Sequence, residues 1–170
     1  NNYAELEALV NAKDIGIIKM EVARNMEPEN NFLHEVRKLA TDRGIILIFD
    51  ECTSGFRETF GGLHKKYGVE PDMAMFGKAL GNGYGITAII GKREVMEAAQ
   101  TTFISSTFWT ERIGSTAALK TLEVMERIKS WETITQTGLK IRQGLQKIGD
   151  SYELSISHWG MPALTGFTIQ

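Results

Sequence analysis

The sequence is poor in the residues that would tie it to metals, to an oxidising compartment or to a polyanion. A single cysteine, Cys52, among 170 residues excludes an intrachain disulfide and any cysteine-cluster metal site, as suits a reducing cytosol. The three histidines, His34, His64 and His158, show no metal-ligand spacing with carboxylates or with one another, and no metal is assigned. Charge of one sign is lacking too. With 19 basic against 21 acidic side chains the net charge is -2, which gives no reason to expect nucleic acid or an anionic membrane as partner. No apolar run is long enough to span a bilayer, and the expected location is cytoplasmic. Internal repeats and low-complexity tracts are also missing.

What is present is the apolar content of an ordinary globular protein, 42% hydrophobic and 24% charged, enough for one sizeable core. "IGIIKMEV", 15 to 22, is short and β-branched and reads as a buried strand. Phe32, Leu33, Val36, Leu39 and Ala40 then recur at helical spacing, with Asn30 and Asn31 as candidate caps and Arg43-Gly44 as a stop. "IILIFD", 45 to 50, is a second apolar run without alternation, as expected of a strand covered on both faces. A strand-helix-strand unit of this length joins parallel strands, so the fold class is α/β. "DMAMF", 72 to 76, and "GITAIIG", 85 to 91, are further strands around the glycine-rich loop "GKALGNGY". Helical patterns follow from Thr110 to Lys129 and around Ile141, Leu145 and Ile148, with Thr110 as the expected cap of the first. The last twenty residues read as two strands about a Gly-Met-Pro turn. The change of character near residue 130 places the boundary of a smaller second domain there, giving 1–130 and 131–170.

In open α/β sheets ligands bind beyond the carboxyl ends of the strands. Asp50 closes one strand at that edge and Lys78 follows another by two residues, so parallel strands would bring acid and amine to one rim. A hydrophobic run ending in Asp-Glu also suits a carboxylate that orders Mg²⁺ beside a nucleotide, but no GxxxxGK[ST] loop is present: "AMFGKAL" has Gly-Lys followed by Ala. An acid and a lysine in one glycine-rich cleft suit a pyridine-ring cofactor, the lysine as Schiff base and the aspartate as partner of the ring nitrogen. A non-catalytic module that retains the fold is the third reading. Arg57, a few residues beyond, is a candidate for a substrate carboxylate or for a structural pairing. Cys52 has no histidine placed to activate it and reads as a packed thiol.

Three ordered segments, "LIFDECTSGFR", "YGVEPDMAMFGKALGNGYGITAIIGKREVM" and "STFWTERIGSTAALKTLEVM", resemble the catalytic heart of the class III aminotransferases, pyridoxal-phosphate enzymes of fold type I. "GFR" at 55 to 57 and "FGG" at 60 to 62 are most similar to glutamate-1-semialdehyde aminomutase and its relatives. The resemblance implies amino-group transfer through a Lys78 Schiff base, within one molecule or between a donor and an aldehyde or keto acceptor. It implies Asp50 as the ring-nitrogen partner and Glu51 as a supporting carboxylate at the cofactor. It also implies Thr107 reaching the cofactor phosphate of a neighbouring subunit, hence a homodimer acting on a small amino or semialdehyde substrate. Thr53 stands where many members have a glutamine against the cofactor's phenolic oxygen, and Cys52 where valine is usual. The family's phosphate loop and ring-stacking aromatic are expected outside these 170 residues, which alone are not expected to form a complete active site.

Overall fold

The computed structural model describes residues 2–108 and 110–170; Asn1 and Trp109, the latter part of the "STFWTER" stretch, lie outside them. Helix α1 (Tyr3–Ala12) leads into strand β1 (Ile17–Glu21), helix α2 (Phe32–Asp42) and strand β2 (Ile46–Asp50). A short helix α3 (His64–Tyr67) precedes strands β3 (Met73–Phe76) and β4 (Ala88–Gly91). The four strands form one sheet in the order β1-β2-β3-β4, with β1, β2 and β3 parallel and β4 antiparallel. Beyond it come helices α4 (Arg93–Met96), α5 (Ile113–Ile128) and α6 (Ser130–Ser151), then an antiparallel pair, β5 (Ile156–Trp159) and β6 (Gly166–Ile169).

The expected strands and helices are present, but β1 is not the buried strand expected, enclosing only Ile18, and burial on β2 alternates rather than running continuously. Leu47 and Phe49 are fully enclosed with Ile18 of β1 and with Leu33, Val36, Leu39 and Ala40, the α2 stripe. Ala74 and Phe76 continue this face across β3 and pack near Ala118 of α5. The opposite face carries Ile46, Ile48 and Asp50, with Ile17 and Ile89 at least half exposed. Among the described residues the helices cover one face, so the second face of β2 keeps a half-buried pattern. That asymmetry decides which way each side chain at the strand end can point.

Helix ends differ from expectation as well. Asn30 and Asn31 adopt left-handed φ of 48° and 61°, and Asn31 makes no side-chain cap bond to α2; the asparagines turn the chain rather than cap the helix. At α5 the carboxylate of Glu111, not Thr110, accepts the first N–H groups, Ile113 at 2.6 Å and Gly114 at 3.2 Å. A Glu two and three residues upstream reaches two orphan donors at once and meets the positive end of the helix dipole. The segment from residue 131 onward leans back on both core clusters: Met161 is buried in the first, and Trp131 packs on Phe60, which borders the second, with ring centroids 5.6 Å apart.

Candidate active site

The end of β2 sends two adjacent carboxylates to opposite sides. Asp50 shares the open face with its register partner Glu21 and with Lys19 of β1. The Lys19 ammonium lies 2.9 Å from Asp50 Oδ2, the Asp50 side chain retaining 23% of its exposure, while Oδ1 accepts the Cys52 N–H at 3.2 Å. The Lys19 hydrogen bond, aided by the Cys52 N–H, holds the Asp50 carboxyl below its usual range, against a smaller opposing effect of burial. It stays an anion with lone pairs to spare.

Glu51 turns inward and is fully enclosed. Its Oε1 accepts the His64 N–H at 2.9 Å and lies 2.8 Å from His64 Nδ1, and its Oε2 accepts the Ser54 hydroxyl. Burial opposes its charge, but hydrogen bonds from His64, Ser54 and the backbone outweigh burial and keep the carboxyl below the usual range. The pairing with His64 was not legible in the sequence, where the two lie 13 residues apart and nothing in their spacing joins them.

Lys78 follows β3 on a turn of its own. It adopts a left-handed φ of 46°, a conformation that a long side chain takes only when its surroundings impose it. One imposing residue is Gly81: a Cβ there would lie 2.1 Å from the Tyr84 carbonyl oxygen, so only glycine lets the loop fold back so closely. The Lys78 ammonium donates to Thr53 Oγ1 at 2.5 Å, joining the turn after β3 to the turn after β2. Cys52 sits between acid and amine. Burial, then its bond to Asp50, pushes the thiol up, while Lys78 and Lys19 act on it in the other direction. A thiol so placed is a poor nucleophile.

Behind the lysine turn opens a cavity of about 720 Å³ between the 78–84 loop, α5 and the start of α6. Among the described residues, its walls include the cations Arg57, Lys78 and Lys120 and no carboxylate, with Tyr84 and Met125 as apolar lining. Asp50 and Thr53 do not line it; Lys78 is the residue common to the cavity and the Asp50 side. The Arg57 guanidinium is half-buried, burial lowers its pKa, and among the described residues no carboxylate pairs with it. Its Nε makes a long bond of 3.4 Å to the Thr53 carbonyl oxygen. A desolvated, unpaired guanidinium on a cavity wall is suited to a carboxylate ligand.

The structure therefore brings together Asp50, Thr53 and Lys78, sets Arg57 nearby, and turns Glu51 away from them into the interior. Thr107 is exposed on the loop before α5, and among the described residues no hydrogen bond joins it to this group. The residue that sequence reasoning missed is Lys19, although a signal existed: a cation in the middle of the apolar run "IIKME".

Comparison with known proteins follows the same lines. The profile of the class-III aminotransferases matches residues 24–161. Over 84% of its length the chain is 38% identical to a 3-aminobutyryl-CoA aminotransferase of Cloacimonas acidaminovorans, of which it spans 35%. Over 92% of its length it is 33% identical to a glutamate-1-semialdehyde 2,1-aminomutase of Natranaerobius thermophilus, of which it spans 39%. In structure it superposes on the PLP internal aldimine form of the FumI protein of Sphingopyxis sp. MTA144 with a TM-score of 0.92 at 25% identity, covering 99% of this chain and 43% of that one. The ornithine delta-aminotransferase of Plasmodium falciparum shares the fold, with a TM-score of 0.84 at 22% identity over 99% of this chain and 46% of its own.

Proposed function

The chain belongs to the class-III aminotransferase family, and from that premise we propose that it carries the acid and lysine of a pyridoxal-phosphate site for amino-group transfer on a small carboxylate-bearing substrate. The observation that supports this most is the meeting of Lys78, on its strained turn, with Thr53 beside the strand-terminal Asp50. The donor set fits such a cofactor: an anionic carboxylate with free lone pairs for a ring nitrogen, and an exposed primary amine for an aldehyde. Glu51 does not fit a metal-ordering role, because Ser54 and His64 already occupy its oxygens.

When bound, pyridoxal phosphate supplies an electron sink that labilises bonds at the amine-bearing carbon of a substrate. Lys78 would hold it covalently through Nζ and, once released, would move a proton at the substrate carbon as general base and acid. Asp50 would hold a proton on the ring nitrogen. Thr53 orients the Lys78 amine, and Glu51, through Ser54 and His64, fixes the turn from which Asp50 and Thr53 project. Arg57 would take a substrate carboxylate at the cavity wall.

The same proposal places residues 1–130 in a cofactor-binding domain and 131–170 at the start of a smaller one. It makes the full protein a cytoplasmic homodimer in which Thr107 reaches the partner subunit's cofactor phosphate. Intramolecular and intermolecular amino transfer share their first half-reaction, and the two curated relatives represent one kind each. The test is to incubate the full-length protein with pyridoxal phosphate, reduce with borohydride and locate the adduct by peptide mass. A pyridoxyl group on Lys78 is expected; a folded protein without one overturns the assignment.

A further inference from the structure

Lys19 stands in the middle of β1, between Ile18 and Met20, with its ammonium group on Asp50 Oδ2. A lysine in the middle of this strand calls for an explanation, and its neighbours offer two. The parallel register sets Glu21 opposite Asp50, so two carboxylates sit side by side at the sheet edge and a cation between them relieves their repulsion. That would be a structural role. Glu21, however, already has Arg24 at 3.0 Å, whereas Lys19 has Asp50 as its hydrogen-bonding partner.

The groups facing Asp50 are few. β1 contributes Lys19 and Glu21, and the turn after β2 contributes the Cys52 N–H and thiol. β3 contributes the uncharged Met75, its register partner, with Lys78 beyond, close enough to act on Cys52. Among the described residues, Lys19 is the cation in direct contact with the carboxylate.

Resting on the cofactor reading above, we propose that Lys19 is a positioning residue for the ring-nitrogen contact: it holds the Asp50 carboxylate by Oδ2 and shares its charge with the cofactor nitrogen. A carboxylate has about four lone-pair sites, so the ammonium, the Cys52 N–H and a ring N–H can be served together. Sharing has an electrostatic consequence. The positive charge offsets part of the negative potential that Asp50 presents, and a like charge near a protonated ring nitrogen disfavours its proton. Lys19 therefore makes the ring nitrogen less basic than Asp50 alone would, and moderates the electron sink. It also fixes the carboxylate rotamer from the β1 side while the Cys52 N–H fixes it from the other.

The test uses the full-length protein loaded with pyridoxal phosphate labelled with ¹⁵N at the ring, whose nitrogen shift reports protonation directly. In Lys19→Met the protonated signal is expected to persist to higher pH than in wild type, with its midpoint displaced upward by about one pH unit. Lys19→Arg, which keeps the charge, is expected to follow wild type, and Lys19→Gln gives the same reading as methionine should that variant not fold. A purely structural Lys19 would lower the melting temperature of the neutral variants and leave the nitrogen midpoint in place. A bound cofactor with an unmoved midpoint overturns this proposal alone. A wild-type protein that takes up no pyridoxal phosphate overturns the cofactor reading and this proposal with it.

Discussion

Asp50 and Glu51 are consecutive, carry the same charge, and live in opposite environments. Asp50 lies on the open face of the sheet, partly exposed, against a lysine that is itself half in water. Glu51 lies on the helix-covered face, enclosed with Ser54 and His64, the His64 ring resting near Phe49 with centroids 5.9 Å apart. The difference follows from strand alternation carried one residue past the end of β2. It teaches that the site is built in two layers. In the proposed function the open layer presents charge to a ligand, and the buried layer turns charge into rigidity.

The most severe way to test the open layer is Lys78→Ala in the full-length protein, which should remove the borohydride-fixed adduct and lower turnover by at least about 10³-fold, read in an amine-donor assay. The two carboxylates should then separate cleanly. Asp50→Asn is expected to lower turnover by roughly 10²-fold with the urea midpoint nearly unmoved. Glu51→Leu, which strands His64 and Ser54 in the interior, should lower stability by about 3 kcal/mol in urea unfolding. Equal loss of stability in both variants would erase the distinction between the layers.

Asp72 sharpens the comparison from just before β3. It accepts the Leu47 N–H at 2.8 Å and pairs with Arg37 at 2.8 Å and Lys92 at 2.6 Å, tying β2, α2 and the end of β4. Burial opposes its charge, but these three partners prevail and hold the carboxyl at about 2, against 3.8 for a free aspartate. A depressed carboxylate contributes stability above its unfolded pKa and loses it as pH falls through the folded value. Stability should therefore drop between about pH 4 and pH 2. Asp72→Asn should lose about 2 kcal/mol at pH 7 and flatten that limb in pH-dependent urea titrations. The smallest effect is expected at Thr53→Val, where losing the hydroxyl that receives Lys78 should weaken cofactor affinity less than about tenfold, measured by fluorescence titration.

Much of this is legible in the sequence. The α2 stripe of Leu33, Val36, Leu39 and Ala40 announces its helix by period, and "IILIFD" announces its strand by β-branched apolar content. Asp50 and Lys78 were legible as candidates because each closes or follows a strand at the carboxyl edge. Lys19 with Asp50, and Asp72 with Arg37 and Lys92, were not. Such pairs depend on register between strands and on helix placement, which local period does not encode. The α5 start was misread for a related reason: Thr110 is the better cap by residue type, yet the turn geometry offers the first N–H groups to Glu111.

Local period, turn chemistry and motif order suffice to read the order of elements, the α/β class and the family, and to single out Asp50 and Lys78 as the candidate acid and amine. Only the tertiary structure decided that, among the described residues, helices cover one face of the sheet, that Asp50 meets Lys19 on the other, and that Glu51 is buried with His64. Those outcomes depend on which strand lies beside which, and a shift of one residue in register would have exchanged them.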